Sequence, residues 1–360
     1  MMEMNIKRGS ESTNLKMKSN KGRNKRQVNI ELLRIFSMLM VLVIHYNVAV
    51  NGQTTHDMVM TEPWKAIGVA SLKSLSFICV NCFIIISGYF GIRWKWKSLC
   101  NYLFQIGFWG GMIHLIAVGI GFSDFSVKQM LDNMFMFLVH GNWFFVSYLG
   151  LYMLAPVLNA YIEKVETRQL GWMVLTFYAF QTVFGWIFKN CIEFSQGLTF
   201  VSFMGLYLLG AFLRRSNLNC FRWRCGYDMG CYLGFGFICV VLSMGANYMG
   251  FDKDVYSYIS PLQILQTVYL FLFFKKVRVS SRYDQVILFF SSSAFAALLM
   301  HSWDGVNIYA SGLQWIDANL AMPFVFTMLY IFGYFISACC LDKIRLMVCK
   351  PSVNPVLHNL

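Results

Sequence analysis

Arg34 and His45 are the residues of this chain whose types and spacing most clearly indicate chemistry. Both fall in an apolar segment, residues 29–50, that is long enough to cross a membrane as a helix. An ionisable side chain inside such a helix costs at least about 2.5 kcal/mol, so it is rarely without a role. Eleven residues of helix make close to three full turns, so the two side chains point the same way, about 16 Å apart along the axis.

Glu31 lies three residues before Arg34 and can pair with it from the preceding turn. One face of one helix therefore offers a cation near one end and an imidazole deeper in. This arrangement suits the binding of an anionic ligand from one side of a membrane and proton transfer within it. A structural alternative stays open, because an arginine near a helix end can extend to the interface and a buried histidine can simply bond a neighbouring helix.

The composition requires a membrane to hold these residues. The chain of 360 residues is 57% hydrophobic and 13% charged, and its mean hydropathy is +0.53. A soluble protein of this size cannot bury so much apolar surface. We therefore predict an all-α, polytopic integral membrane bundle of about ten transmembrane helices.

Charge patterning predicts the orientation of this bundle. The ten predicted spans are residues 29–50, 67–92, 101–123, 143–161, 170–188, 196–213, 229–249, 259–274, 285–302 and 321–341. With both termini cytoplasmic, 24 of the 30 Lys and Arg residues lie in cytoplasmic segments. This is the asymmetry of the positive-inside rule, and it explains the net charge of +13 without a nucleic-acid partner.

The domain organisation is correspondingly simple. Residues 1–28 are polar and basic, with no apolar run of the kind a cleavable signal peptide needs, and are expected to form a disordered cytoplasmic tail. Residues 29–341 form the membrane domain, and residues 342–360 form a cytoplasmic C-terminal tail. The eleven cysteines show no disulfide or metal-binding framework, and Cys79-x-x-Cys82 is interpreted as packing within an apolar span.

Five segments, in order along the chain, resemble the acyltransferase-3 family of integral membrane O-acyltransferases. They are Glu31-Leu-Leu-Arg34 with His45, the run Val80–Phe90 ending in Ser-Gly-Tyr-Phe, the Trp…Tyr…Pro stretch Trp143–Pro156, Gly205–Gly210 and Ser293–His301. The order of the five segments on a ten-helix frame makes the resemblance specific.

The resemblance implies transfer of an acyl group, usually acetyl, from cytoplasmic acyl-CoA to a hydroxyl of a cell-surface or lipid-linked glycan. It implies that His45 is catalytic and that Arg34 helps to hold the donor. No bound cofactor is implied; acetyl-CoA is a co-substrate, and the setting is a bacterial cytoplasmic membrane. His45 could accept the hydroxyl proton or carry the acyl group briefly itself, and the sequence does not choose between these roles.

Several weaker candidates accompany this pair. Glu31 joins His45 as a catalytic candidate because no other Asp or Glu falls within a predicted span. Possible contributors to donor binding are Arg93, Lys95 and Lys97, which positive-inside anchoring would also explain. Acceptor-side candidates are Trp143, Tyr148, His301 and Asp304, with His140 beside Trp143; the Asp304 carboxylate could orient His301. His114, alone in an apolar span, is interpreted as structural.

A transporter or flippase for a glycan or small anion is the main alternative, with Arg34 and His45 as substrate and proton sites. Neither an internal repeat nor a soluble catalytic signature was found in the sequence. The lack of repeats and the ordered motifs favour the enzyme. A homo-oligomer remains possible from the sequence.

Overall fold

The computed structural model describes residues 27–139, 142–218, 223–251 and 255–358. These residues form helices and connections, with no strand among them. The helices are α1 Val28–Tyr46, α2 His56–Thr61, α3 Pro63–Ser76, α4 Cys79–Phe90, α5 Trp96–Gly119, α6 Val127–Met134, α7 Met136–Val139, α8 Trp143–Lys164, α9 Thr167–Phe180, α10 Phe200–Arg215, α11 Cys225–Tyr248, α12 Pro261–Lys276, α13 Asp284–Ser291, α14 Ala294–Met300, α15 Asp304–Asn319 and α16 Pro323–His358. The all-α prediction is confirmed for this part of the chain.

Eight helical segments are long and apolar enough to cross a membrane. They are Val28–Asn51, Pro63–Phe90, Trp96–Gly119, Trp143–Lys164, Thr167–Ile187, Cys225–Tyr248, Ser281–Met300 and Pro323–Cys349. Two π-helical segments, Asn47–Asn51 and Gln181–Ile187, extend α1 and α9 within these spans. The protein is therefore a multi-pass membrane protein.

The helices α10 and α12 coincide with the other two predicted spans but have only 16 residues each. Their length of about 24 Å is less than the usual hydrocarbon thickness of about 30 Å. Most of their side chains are buried by neighbouring helices, so they lie inside the bundle. That α10 and α12 cross the membrane, and that both termini are cytoplasmic, remain predictions.

One end of the bundle, called the basic end here, carries the connections that follow α4, α8, α10 and α12. Arg93, Arg214 and Lys275 lie there. The side-chain amide of Asn29 donates to the carbonyl of Lys275 at 2.9 Å, so α1 begins at the same end. The predicted tail lies outside the described residues except for 27 and 28, and α16 continues through most of the segment predicted as a C-terminal tail.

Two glycines allow α4 and α10 to pack almost backbone to backbone. A Cβ atom on Gly88 would lie 2.1 Å from the carbonyl oxygen of Tyr207, and one on Gly210 would lie 2.4 Å from that of Ile85. The Tyr207 hydroxyl donates to Asn159 at 2.7 Å. Both glycines belong to the family-like segments of the sequence, so their role is close helix packing, as is common in membranes.

Candidate functional site

The ring of His45 contacts the ring of His301 near the far end of α1. His45 Nδ1 and His301 Nε2 are 2.5 Å apart, and the rings stack with centroids 4.7 Å apart at 24°. His301 is 2% exposed. The edges of Tyr309 and Tyr334 enclose it, with centroids at 4.5 and 5.6 Å. The sequence proposed both histidines as candidates, and the fold brings them together across 256 residues.

This contact determines what each ring can do. One nitrogen of the pair must carry the shared proton while the other supplies a lone pair. If His45 Nδ1 donates, His45 Nε2 keeps its lone pair and is able to take a proton or an acyl group. His45 is only partly buried, and within the described chain its Nε2 has no hydrogen-bond partner. His45 Nε2 is therefore the nitrogen available for reaction.

Asp304 contacts His114 rather than His301. Its Oδ2 accepts from His114 Nδ1 at 2.9 Å and from Asn133 Nδ2 at 3.1 Å, and its Oδ1 accepts from Gln129 at 3.1 Å. His114 is fully buried and Asp304 is 6% exposed. Asp304 is thus an anchor that ties the start of α15 to α5 and α6, and His114 supports it.

The turn between His301 and Asp304 is tightly constrained. Trp303 has φ 50° and ψ −118°, a backbone conformation that costs of order 1–3 kcal/mol and persists only where surrounding contacts hold it. A Cβ atom on Gly305 would lie 1.8 Å from the carbonyl oxygen of Met300. Because Asp304 is held by three donors, this turn fixes the position of His301 against His45.

Arg34 lies at the other end of the same face of α1. Its Nη1 donates to both carboxylate oxygens of Glu31 at 3.0 Å. The Arg34 side chain is 33% exposed, whereas that of Glu31 is 6% exposed. Glu31 is fourteen residues from His45, about 21 Å along a helix. The structure therefore places Glu31 as the partner of Arg34 and away from the imidazoles.

A cavity of about 390 Å³ begins at Arg34. Its polar lining consists of Arg34, Ser87, Ser98, Asn101, Tyr102, Gln105, Tyr148, Tyr152, Ser291 and Ser292, and its apolar lining of Phe83, Phe144, Ala294, Phe295 and Leu298. Leu298 is one turn before His301. The cavity thus extends along α14 from the guanidinium of Arg34 to within a helical turn of the imidazole pair.

The remaining predicted residues fall into three places. Tyr148 lines the cavity. The exposed residues Arg93, Lys95 and Lys97 do not line it, but the backbone N–H of Lys95 donates to the hydroxyl of Tyr152, a lining residue, at 2.9 Å. Trp143 does not line the cavity and packs against Tyr258, with ring centroids 5.5 Å apart. His140 lies outside the described residues.

Several site residues were not found from the sequence. Gln129 and Asn133 are four residues apart on α6, so they share a face, and this spacing was an available signal. Tyr309 and Tyr334 gave no such signal, because nothing local distinguishes them from other aromatic residues of the spans. Across the described residues, no group of three or more His, Cys, Asp or Glu side chains is arranged to hold a metal ion.

The site thus combines an arginine-lined cavity with paired imidazoles one helical turn beyond it, inside a helical membrane bundle. In a comparison with known families, residues 27–342 match the acyltransferase-3 family, whose model is described as an acyltransferase domain. The chain belongs to this family and is a membrane acyltransferase. No curated protein and no solved structure gave a significant match.

Proposed function

We propose that this protein transfers an acyl group, with acetyl as the first candidate, from cytoplasmic acyl-CoA to a hydroxyl of a cell-surface or lipid-linked glycan. The observation that carries the proposal is the cavity that begins at Arg34 and ends within a helical turn of the His45–His301 pair. The proposed setting is the cytoplasmic membrane of a bacterial envelope, with the basic end inside.

The donor would be held by its charged end. CoA is a polyanion, and a guanidinium binds phosphate through paired, charge-assisted hydrogen bonds. Arg34 stands at the basic end, where Arg93, Lys95 and Lys97 add positive charge at the surface. The thin pantetheine arm would then lie in the cavity among hydroxyl and amide side chains and carry the thioester toward His45.

The transfer step uses His45 as a general base. As the acceptor oxygen attacks the thioester carbonyl carbon, His45 Nε2 takes the proton of the hydroxyl. The new C–O bond forms and the C–S bond breaks. The sulfur leaves with the bonding electron pair and takes the proton back from His45, which gives the ester and the free thiol of CoA. His301 holds the His45 ring throughout by the hydrogen bond to Nδ1.

The test uses purified protein in nanodiscs with acetyl-CoA labelled on the acetyl group. Release of free CoA and transfer of label to a mixed pool of envelope glycans would be followed together. We expect His45→Ala to lower transfer by about 10²- to 10⁴-fold and Arg34→Ala chiefly to raise the KM for acetyl-CoA.

Arg168→Ala is the matched control, since Arg168 is an exposed arginine near the basic end and does not line the cavity. A folded wild-type protein that neither binds nor consumes any acyl-CoA would refute the proposal. Label that stays on the protein in the absence of an acceptor would assign His45 the role of acyl carrier instead of base.

A further inference from the structure

A second cavity, called the polar pocket here, lies at the end of the bundle opposite Arg34. It has a volume of about 280 Å³ and is lined by Gln53, Thr54, Lys73, Lys189, Gln196, Ser243, Asn247, Phe251, Val255 and Tyr256. Three connections, those after α1, α9 and α11, contribute to it, together with α3 and α11. Eight of these side chains carry an amide, a hydroxyl or an ammonium group.

Several of these polar groups are held in place while their hydrogen-bonding capacity stays open. The Asn247 side chain donates to the carbonyl of Ser243 at 2.8 Å, and its own backbone carbonyl accepts from His56 at 2.8 Å. Within the described chain, the buried Thr54 hydroxyl has no hydrogen-bond partner. A fixed amide and an unpartnered hydroxyl are suited to a ligand rich in hydroxyl groups.

The backbone around this pocket is strained. Lys189 and Gln196 have φ values of 52° and 57°, in the left-handed region that residues other than glycine rarely adopt. The Ser257 hydroxyl donates to the carbonyl of Gln196 at 3.1 Å and helps to hold this conformation. Strained residues concentrate at ligand-binding and catalytic positions. Here two of them line one cavity.

An apolar groove adjoins the polar pocket. The groove has a volume of about 450 Å³ and is lined by Trp186, Ile187, Lys189, Val241, Leu242, Gly245, Ala246, Met249, Phe251 and Val255. Lys189, Phe251 and Val255 line both spaces, so the two are continuous. Val241 and Met249 are 51% and 65% exposed, which opens the groove toward the hydrocarbon of the membrane.

We propose that the polar pocket and the apolar groove together form one site for an amphipathic ligand, a sugar headgroup joined to a long hydrocarbon chain. The headgroup would bind the amides of Gln196 and Asn247, and the chain would lie along Trp186 and Met249. Lys189 stands where the two parts of the ligand meet.

Two hydrogen bonds to neighbouring residues of α3 connect this site with the chain just beyond His45. Asn47, two residues beyond His45, donates to the carbonyl of Val69 at 3.0 Å. Tyr256, which lines the polar pocket, donates to the carbonyl of the next residue, Ala70, at 3.0 Å. Identifying the ligand as the lipid-linked acceptor rests on the proposed function, whereas the existence of the site does not.

The test measures quenching of Trp186 by bromine atoms on a hydrocarbon chain. Protein in phosphatidylcholine nanodiscs receives either dodecyl maltoside brominated on its alkyl chain or phosphatidylcholine brominated on its acyl chain, at equal mole fraction. The signal of Trp186 is the difference between the wild type and Trp186→Phe. We expect the brominated maltoside to quench more strongly and to lose about fivefold or more in apparent affinity in Gln196→Ala and in Asn247→Ala.

Asn319→Ala is the matched control. The Asn319 side chain donates to the carbonyl four residues earlier at 2.8 Å, as that of Asn247 does, but it is exposed and lies outside both cavities. Equal quenching by the two probes, or quenching that the amide variants leave unchanged, would show an ordinary bilayer lipid and overturn the proposal. Absence of quenching by either probe would overturn it as well.

Consumption of acetyl-CoA, measured on the same nanodiscs, separates the two proposals. Selective quenching without thioester consumption would support the amphipathic site and refute the proposed acyl-CoA reaction. Thioester consumption without selective quenching would overturn the site alone.

Discussion

A histidine hydrogen-bonded to a second histidine differs from one paired with a carboxylate. An imidazole carries no negative charge whether its ring nitrogen donates or accepts, so His301 can orient His45 without placing a negative charge beside it. The carboxylate nearest to His301 in the sequence, that of Asp304, is held by His114, Gln129 and Asn133 instead of by the imidazole pair. This arrangement suits a thioester reaction that neither gains nor loses net charge.

Replacing His301 with alanine should lower kcat for acyl transfer by about 10- to 100-fold, because His45 loses the hydrogen bond that fixes its tautomer. The KM for acetyl-CoA should stay near its wild-type value, since Arg34 is untouched. Steady-state kinetics in nanodiscs would measure both. His301→Gln, which retains a side-chain hydrogen-bonding group, should recover part of the loss, and an unchanged kcat in His301→Ala would contradict the pairing.

Glu31→Gln tests whether this carboxylate is catalytic, as one sequence-based prediction had it. Because Glu31 contacts Arg34 and is far from His45, we expect kcat to fall by no more than about threefold, as for a substitution remote from the reacting atoms. The KM for acetyl-CoA should change instead, because Arg34 loses the partner that orients it. A loss of kcat comparable to that of His45→Ala would contradict this expectation and indicate that Glu31 is catalytic.

At this scale the sequence predicted the residues better than their contacts. Arg34 and His45 stand out because ionisable groups are rare in apolar helices. The contact of His45 with His301 joins helices at opposite ends of the chain, and no local pattern encodes it. His114 was interpreted as structural because it stands alone in an apolar span, and its contact with Asp304, 190 residues away, could not be predicted from that span.

Among the helices, the connection from α14 to α15 positions the site. Asp304 accepts three hydrogen bonds from α5 and α6, and the strained Trp303 transmits this fixed position to His301. The anchor is separate from the reacting atoms. Its residues should therefore affect the rate of transfer without contacting either substrate.

We expect His114→Phe to lower kcat by about tenfold while the KM for acetyl-CoA stays unchanged. The reason is that Asp304, which fixes the turn after His301, loses one of its three hydrogen bonds. His114→Gln, whose amide can still donate to Asp304, should restore most of the rate. Kinetics with both variants at matched protein stability would measure this. A change confined to KM would argue against a positioning role.

Helix packing gives a second prediction. Gly210→Ile should destabilise the protein by about 1–3 kcal/mol or more, since its side chain would collide with the backbone of α4. Gly333→Ile is the control, because a Cβ on this helical glycine meets nothing within 4 Å. Unfolding in detergent with increasing denaturant would compare the two. Equal stability of the variants would contradict the close α4–α10 contact.

The helices themselves were largely predictable. Each of the ten apolar segments overlaps one or more helices, because hydrophobic length is a direct requirement of the bilayer. Hydropathy does not show that α10 and α12 are short and enclosed by other helices. An apolar side chain has the same hydropathy whether it contacts lipid or protein. Hydropathy also gives no sign of the π-helical segments Asn47–Asn51 and Gln181–Ile187.

For the whole molecule, native cysteines report the orientation. Cys225 is exposed near the basic end, and Cys191 is half-buried at the opposite end. In variants that retain one of these cysteines, a membrane-impermeant maleimide should label Cys191 on intact cells and Cys225 only after the membrane is opened. The reverse pattern would invert the topology and place Arg34 outside.

The rigid stretch of α1 between Arg34 and His45 has a consequence for donor choice. It keeps the two side chains about 16 Å apart along the helix axis, because a helix cannot be stretched without breaking its hydrogen bonds. In the proposed reaction this fixed distance would match the length of the donor from its phosphates to its thioester, and it would not depend on the acyl chain beyond. Discrimination between acetyl and longer chains must therefore come from the walls around the imidazoles. One residue inserted between Arg34 and His45 would rotate these side chains about 100° relative to each other, and we expect it to lower transfer from every donor.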